Sequence, residues 1–140
     1  MAEESTTPDL VEATRQFVQA WSSGDVDLAV SFYAPDAVMD STQMGMFVYE
    51  GHPAIREALK AFVDPYEEFK VTLEEVSDLG NGVLFAIAVS VGRLLGSGGE
   101  VQMRGGAVVE WADGLITRTR QYTDIDEARA AAERLAEARR

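Results

Sequence analysis

Two side chains able to transfer protons lie near the ends of one apolar segment, VMDSTQMGMFVYEGH. Asp40 offers a carboxylate that can take and return a proton, and His52 offers an imidazole. Met44 and Met46 are flexible apolar side chains that adapt to varied ligands, and Tyr49 is a hydrogen-bond donor. These residue types predict a lid over an apolar pocket, with Asp40 at its hinge. A carboxylate in such a pocket should have a raised pKa because burial penalises its charged form.

The same residues also have structural interpretations. Asp40 precedes a serine and a threonine, which is common turn chemistry, so it can cap a turn instead of facing a pocket. His52 precedes Pro53 at a predicted helix start, where polar residues act as caps. Met44 and Met46 can equally be gap fillers in the core. The residues alone leave these alternatives open.

Composition limits the function classes. The chain has 140 residues, 46% of them hydrophobic, which suits one domain over residues 7–140 after a disordered tail at residues 1–6. With 12 basic and 24 acidic residues, its net charge of −12 opposes binding to nucleic acid or anionic membranes. There is no cysteine and one histidine, so we expect no thiol chemistry, no multi-histidine metal site and no cofactor. The acidic start MAEESTTPD and the absence of a long apolar run predict a cytoplasmic protein.

Helical periodicity predicts three helices in the N-terminal half. The first has Pro8 at its first position and Asp9 in its first turn, and it ends at Gly24. The second opens at Asp25 and ends before Pro35. Its predicted buried residues are Leu28, Ala29, Phe32 and Tyr33. The third helix reads GHPAIREALKAF.

A period of two residues then predicts strands. After a short strand, DAVM, the segments FKVTLEEV, VLFAIAVSVGRLL, VQMRGGAVVEW and LITRTRQYT form a meander with turns at GNG, GSGGE and ADG. The last segment, DIDEARAAAERLAEARR, predicts a helix that begins at Asp124. This order predicts an α+β domain in which helices pack on one face of a curved antiparallel sheet.

Strand parity predicts the pocket wall. If ADG closes a tight hairpin, Val109 lies opposite Thr117 and Ala107 lies opposite Thr119. The concave face then carries these residues: Val101, Met103, Gly105, Ala107, Val109, Trp111, Thr117, Thr119 and Gln121. The other face, a polar outer surface or dimer interface, carries these: Gln102, Arg104, Glu110, Arg118, Arg120 and Tyr122.

Three segments resemble a known family. FVQAWSSGDVDLAVSFYAPDAVMD, GHPAIREAL and WADGLITRTRQYTD are similar to the SnoaL-like branch of the nuclear transport factor 2 superfamily, which includes ketosteroid isomerases and polyketide cyclases. The similarity covers about residues 8–135. It implies a cone-shaped half-barrel whose three N-terminal helices close a deep apolar pocket, usually in a homodimer. It also implies that Asp40 stands where ketosteroid isomerases carry their proton-shuttling aspartate, facing the pocket.

The chain departs from two well-known mechanisms of these relatives. Ketosteroid isomerases stabilise their enolate with a tyrosine and a protonated aspartic acid. The matching positions here hold Phe17 and Ala107, so both oxyanion donors are missing. Limonene epoxide hydrolases need charges on a central strand and a second aspartate; here the strand VLFAIAVSV is uncharged and Gln121 takes the aspartate's place. The resemblance therefore implies neither mechanism in its usual form.

The leading functional prediction is an isomerase, cyclase or lyase that moves a proton in a hydrophobic small molecule. Asp40 would be the base, and Tyr49, His52 or Gln121 would polarise the substrate. The alternative is a non-catalytic domain that binds an apolar ligand or dimerises. A third possibility is a protein-contact scaffold, in which the pocket would be filled by its own side chains.

The predicted pocket residues come from helices, strands and the lid segment. They are Phe17, Trp21, Tyr33, Met44, Met46, Val89, Met103, Ala107 and Thr119. Trp21 and Tyr33 are either core aromatics or groups whose polar ends reach the cavity. Gln121 is either a polar contact in the pocket or a satisfied core amide.

Overall fold

The computed structural model describes residues 9–140 and contains four α-helices in this part of the chain. The helices are α1 (Leu10–Ser22), α2 (Val26–Ser31), α3 (Gly51–Val63) and α4 (Ile125–Ala138). Asp9, Asp25 and Asp124 cap α1, α2 and α4, because each carboxylate accepts a hydrogen bond from the backbone N–H three residues later. Asp9 therefore precedes the first turn instead of lying within it. The predicted Pro8 position and the predicted tail at residues 1–6 lie outside the described residues.

Six strands form one curved, unclosed sheet. They are β1 (Tyr33–Asp40), β2 (Val48–Glu50), β3 (Tyr66–Asp78), β4 (Val83–Leu94), β5 (Glu100–Ala112) and β6 (Leu115–Tyr122). Their order is β2-β1-β6-β5-β4-β3; β1 and β6 run parallel and all other neighbours run antiparallel. The α+β prediction is confirmed, with a mixed sheet.

The segment around Tyr33 differs from its predicted structure. Tyr33 begins β1 and is not part of the preceding helix. Pro35 lies within β1, where the pairing with β6 is interrupted between Tyr33 and Val38, and an irregular stretch tolerates a residue without an N–H. In α2, Leu28 is 49% exposed, and Ala29 and Val30 are the buried residues. The prediction that Leu28 is buried is therefore wrong.

The hairpin between β5 and β6 has a different register from the predicted one. Asp113 and Gly114 form a two-residue turn, and both have positive φ angles, of 54° and 82°. A bulge follows, so that Val109 pairs with Thr119 and not with Thr117. The shift is two residues in this part of the ladder. Because side chains alternate with a period of two, the predicted faces of Val109 and Thr119 are unchanged.

Apolar residues fill both sides of the sheet. On the concave side, α1, α2 and α3 pack around residues that include Tyr33, Met39 and Trp111. On the other side, α4 places alanines against Phe85, Val108 and Tyr122. Tyr122 is therefore not part of a polar outer surface. Glu110 on the same face is also buried, at 5% exposure, so the prediction is wrong for both residues.

No helix in the part of the chain that the structure describes is long and apolar enough to cross a membrane. The homodimer stays a prediction. Because α4 covers part of the outer sheet face, only the rest of that face is available for the predicted dimer interface.

Candidate functional site

A cavity of about 560 Å³ lies between the helices and the concave face of the sheet. This volume is within the range of small-molecule sites, roughly 300 to 1,000 Å³. The cavity exists because its floor carries small residues: Ala86 and Ala88 from β4, and Gly105 and Ala107 from β5. In the sheet, Ala88 pairs with Gly105 and Ala86 pairs with Ala107, so two adjacent rows lack bulky side chains.

Aromatic residues form the roof of the cavity. Phe17 of α1 contacts Tyr33 of β1 edge to face, with ring centroids 5.5 Å apart. Trp21, one turn further along α1, contacts Phe62 of α3 with centroids 5.6 Å apart. The helical spacing of Phe17 and Trp21 places both rings over the sheet. The indole N–H of Trp21 donates to the backbone of Leu59 at 3.4 Å, so its apolar surface faces the cavity.

The mouth of the cavity is marked by lining residues that are also exposed. Met46 is 39% exposed and Met103 is 40% exposed, and Arg104 is exposed beside Met103. Met44 lies in a short 3-10 turn that ends at Gly45. Both methionines line the cavity, and Met46 stands at its mouth. The rest of that segment does not cover the cavity, because Val48–Glu50 pairs with β1 as a strand at the edge of the sheet.

Neutral polar groups lie together at one end of the cavity. The Tyr33 hydroxyl and the Thr119 Oγ1 are 3.5 Å apart. Gln121, two residues along the same face of β6, accepts a hydrogen bond from the Ser41 hydroxyl at 3.2 Å. Burial raises the pKa of Tyr33 to about 12, although the hydrogen bond with Thr119 lowers it. Tyr33 is therefore a neutral phenol at physiological pH and can donate a hydrogen bond.

Most of the predicted ligand-binding residues line this cavity. They are Phe17, Trp21, Tyr33, Met44, Met46, Met103, Ala107 and Thr119. Val89 does not line it, whereas its neighbours Ala88 and Ser90 do. Because successive strand residues point to opposite faces, Val89 faces away from the cavity, and its predicted position is wrong.

The carboxylate of Asp40 lies outside the cavity. Its Oδ1 accepts hydrogen bonds from the Thr42 hydroxyl at 2.6 Å and from the Thr42 N–H at 3.0 Å, and its Oδ2 is 3.9 Å from Arg118. The Thr42 hydroxyl is the main cause of a lowered pKa for Asp40, followed by the Thr42 backbone. The prediction of a pocket carboxylate with a raised pKa is wrong, and the structure shows the turn-capping interpretation.

The other predicted catalytic residues are divided between the cavity and the core. Gln121 lines the cavity. The His52 imidazole is bonded through Nε2 to the backbone oxygen of Tyr33 at 2.8 Å, so it joins α3 to β1 and does not cap the helix. Tyr49 lies opposite Met39 and packs against the main core. Within residues 9–140, no aspartate, glutamate, histidine or lysine lines the cavity.

Two serines of the site have only weak sequence signals. Ser41 is fully buried and joins the turn after β1 to Gln121, but serine after aspartate indicated only turn chemistry. Ser90 lines the cavity in the middle of a strand that is apolar on both faces, so periodicity did not assign it a side. No group of three or more histidine, cysteine, aspartate or glutamate residues in the described chain is arranged to hold a metal ion.

Asp40 provides a test of these assignments. Replacing Asp40 by asparagine should leave ligand affinity within about twofold, because the side chain is outside the cavity and an amide oxygen can still accept from Thr42. Replacement by alanine should lower the free energy of unfolding by about 1 kcal/mol, the usual cost of losing a capping side chain. Because the pKa of Asp40 is lowered in the folded protein, the ionised carboxylate stabilises the fold above pH 3.8, the pKa of an ordinary aspartate. This contribution to the free energy of unfolding disappears as the pH falls through the folded-state pKa of Asp40. Thermal unfolding and ligand titration of both variants check this, and an affinity loss of tenfold or more in the asparagine variant would contradict it.

The amino-acid sequence matches the model of a known protein family. Residues 14–119 match the SnoaL-like domain, and the chain therefore belongs to the SnoaL-like family. No curated protein matches the sequence.

Solved structures of the same fold share little sequence with this chain. A protein of ketosteroid isomerase-like fold from Catenulispora acidiphila, in complex with trimethylamine, is 18% identical with a TM-score of 0.70, over 91% of this chain and 94% of that one. An LEH-like epoxide hydrolase from M. tuberculosis is 20% identical with a TM-score of 0.67, over 88% of each chain. SalBIII, an epoxide hydrolase/cyclase-like enzyme in pyran ring formation of salinomycin, is 19% identical with a TM-score of 0.70, over 79% of this chain and 87% of that one.

Proposed function

We propose that the cavity binds an uncharged, largely apolar small molecule and holds one of its oxygen atoms against Tyr33, Thr119 and Gln121. The observation that carries this proposal is the distribution of polarity: small and aromatic apolar residues form most of the surface, and neutral hydrogen-bonding groups lie together at one end. Sites for small molecules commonly have this arrangement.

The charge of the ligand follows from the lining. An ion moved from water into an apolar cavity loses its hydration, and this cost is high unless a partner of opposite charge is present. The charged side chain among the described lining residues is Arg104, and its Nε is already bonded to Glu74 at 2.8 Å. A carboxylate or ammonium ligand would therefore be bound more weakly than a neutral ligand of the same shape.

A catalytic role for the same site is a second candidate, and membership of the SnoaL-like family supports it. Tyr33 is a buried neutral donor and can polarise a substrate carbonyl, which favours isomerisation or cyclisation. Asp40 would not be the base, because its carboxylate is bonded to Thr42 outside the cavity. In this candidate the proton acceptor is a water molecule or a group of the substrate itself.

Calorimetric titration with a matched pair of probes tests the proposal. We expect 4-acetylbiphenyl, a neutral ketone, to bind at least about tenfold more tightly than biphenyl-4-carboxylate, its charged analogue. Replacing Tyr33 by phenylalanine should weaken ketone binding by about 2- to 10-fold, the value of one neutral hydrogen bond. The control is Tyr66→Phe, since Tyr66 stacks on Phe69 outside the cavity and its substitution should not change affinity. Equal binding of the two probes, or no binding of the ketone, would overturn the proposal.

A further inference from the structure

Ser90 is a polar residue on the floor of the cavity, on the apolar strand β4. Thr14 accepts a hydrogen bond from the indole N–H of Trp111 at 3.1 Å, and Trp21 donates to a backbone oxygen. Ser90 lines the cavity from β4, and its hydroxyl has no hydrogen-bond partner in residues 9–140. A hydroxyl can both donate and accept, so this position has unused capacity for a ligand.

The register of the sheet places Ser90 far from the other polar end. Gln121 pairs with Ala107, which pairs with Ala86, and Ser90 lies four residues further along β4 on the same face. Two strand spacings and four residues of rise put the Cα atoms of Gln121 and Ser90 roughly 16 Å apart in a flat sheet. Curvature of the sheet and the length of the side chains shorten the gap between the polar groups.

Between these two ends, the floor that β4 and β5 contribute is apolar. Ala88 and Gly105 lie in the row between them, and Ser90 itself is flanked in the sheet by Val71 and Met103. A compact ligand with one oxygen would reach one polar end and leave the other unused. An elongated ligand would fill the floor and contact both ends.

We propose that Ser90 is a second polar contact of the cavity, and that the ligand is an elongated neutral molecule with an oxygen atom at each end. This inference rests on the proposed function, because it takes the first oxygen to lie against Tyr33, Thr119 and Gln121. It adds the length of the ligand and the position of its second oxygen. Ser90 then makes the cavity prefer ligands with an oxygen atom at each end over ligands of the same skeleton with an oxygen atom at one end only.

Two rigid probes that differ by one hydroxyl test this inference by calorimetric titration. They are 4-acetylbiphenyl and 4-acetyl-4′-hydroxybiphenyl, whose second oxygen lies at the opposite end of the biphenyl. We expect the wild-type protein to bind the hydroxylated probe about 2- to 10-fold more tightly, the value of one neutral hydrogen bond. In Ser90→Ala this preference should disappear. The control Ser77→Ala removes a hydroxyl that is bonded to Glu75 on β3, outside the cavity, and should keep the preference.

The outcomes separate this inference from the proposed function. If 4-acetylbiphenyl binds but the added hydroxyl gives no gain, or if Ser90→Ala keeps the gain, the role of Ser90 is overturned and the neutral binding site stands. If neither probe binds to the wild-type protein, the proposed function fails and the inference fails with it. Far-ultraviolet circular dichroism of each variant confirms that the fold is retained.

Discussion

Replacing Ala88 by phenylalanine is expected to lower the affinity for 4-acetylbiphenyl by about 10- to 100-fold without loss of the fold. Ala88 lies on the floor of the cavity and is paired with Gly105, which has no side chain, so the new ring has space to extend into the cavity. A ligand would then overlap with the ring, and forcing extra atoms into a packed site costs about 1 to 3 kcal/mol. The melting temperature should stay the same or rise, because the ring fills empty apolar space.

The control for this prediction is the next residue on the same strand. Val89 faces away from the cavity, so Val89→Phe adds a ring to the same part of β4 but on the opposite side of the sheet. Its affinity for the probe should stay within about twofold of the wild-type value, since the ring does not enter the cavity. Equal losses in the two variants would show a general disturbance of β4, and no loss in Ala88→Phe would show that ligands do not occupy this floor.

The elements of the fold were predictable where periodicity was strong. The third helix was predicted at GHPAIREALKAF, and α3 extends over Gly51–Val63. The strands β3 to β6 match the predicted meander. Alternation along β3 and β5 gives a period of two, and β4 is a long apolar segment between two glycine-containing turns. The three-residue strand Val48–Glu50 was not predicted. It exists through its pairing with β1, a tertiary interaction that has no local period.

The cavity floor was predictable on β5 and β6 but not on β4. On β5, small and apolar residues alternate with polar ones, so Ala107 and Met103 were assigned to the correct face. A register error of two residues did not change that face. On β4, the segment VLFAIAVSV is apolar on both sides, and only its pairing with β5 shows that Ala88 and Ser90 line the cavity and Val89 does not.

For Asp40, the resemblance to ketosteroid isomerases and the local sequence predict different positions, and the local sequence predicts the correct one. The sequence Asp-Ser-Thr already offered a turn in which the carboxylate bonds to the chain two residues later. The structure contains that turn, with Asp40 bonded to Thr42 by two hydrogen bonds. In contrast, Tyr33 and Thr119 meet only because β1 and β6 run side by side, and no sequence motif joins them.

The second large effect is expected on stability, at the end of α4. Arg139 bonds to the Glu110 carboxylate on β5 and to the backbone oxygen of Asn81 at 3.0 Å. Glu110 is 5% exposed, and its second oxygen, Oε2, has no hydrogen-bond partner in the described chain. A buried charge that loses its partner is costly, because it keeps neither its hydration nor a neutralising charge. This ion pair therefore holds α4 against the outer face of the sheet.

Arg139→Ala should lower the free energy of unfolding by about 2 kcal/mol, below the full value for a buried pair because the arginine side chain is 36% exposed. For a domain of this size, the melting temperature should fall by roughly 5 to 10 °C. Arg140→Ala is the matched control, since Arg140 and Glu137 form an exposed pair at 3.5 Å and contribute little. Adding Glu110→Gln to Arg139→Ala should recover part of the loss, because the buried charge is then removed. Equal melting temperatures for the two arginine variants would show that the buried pair does not hold the helix.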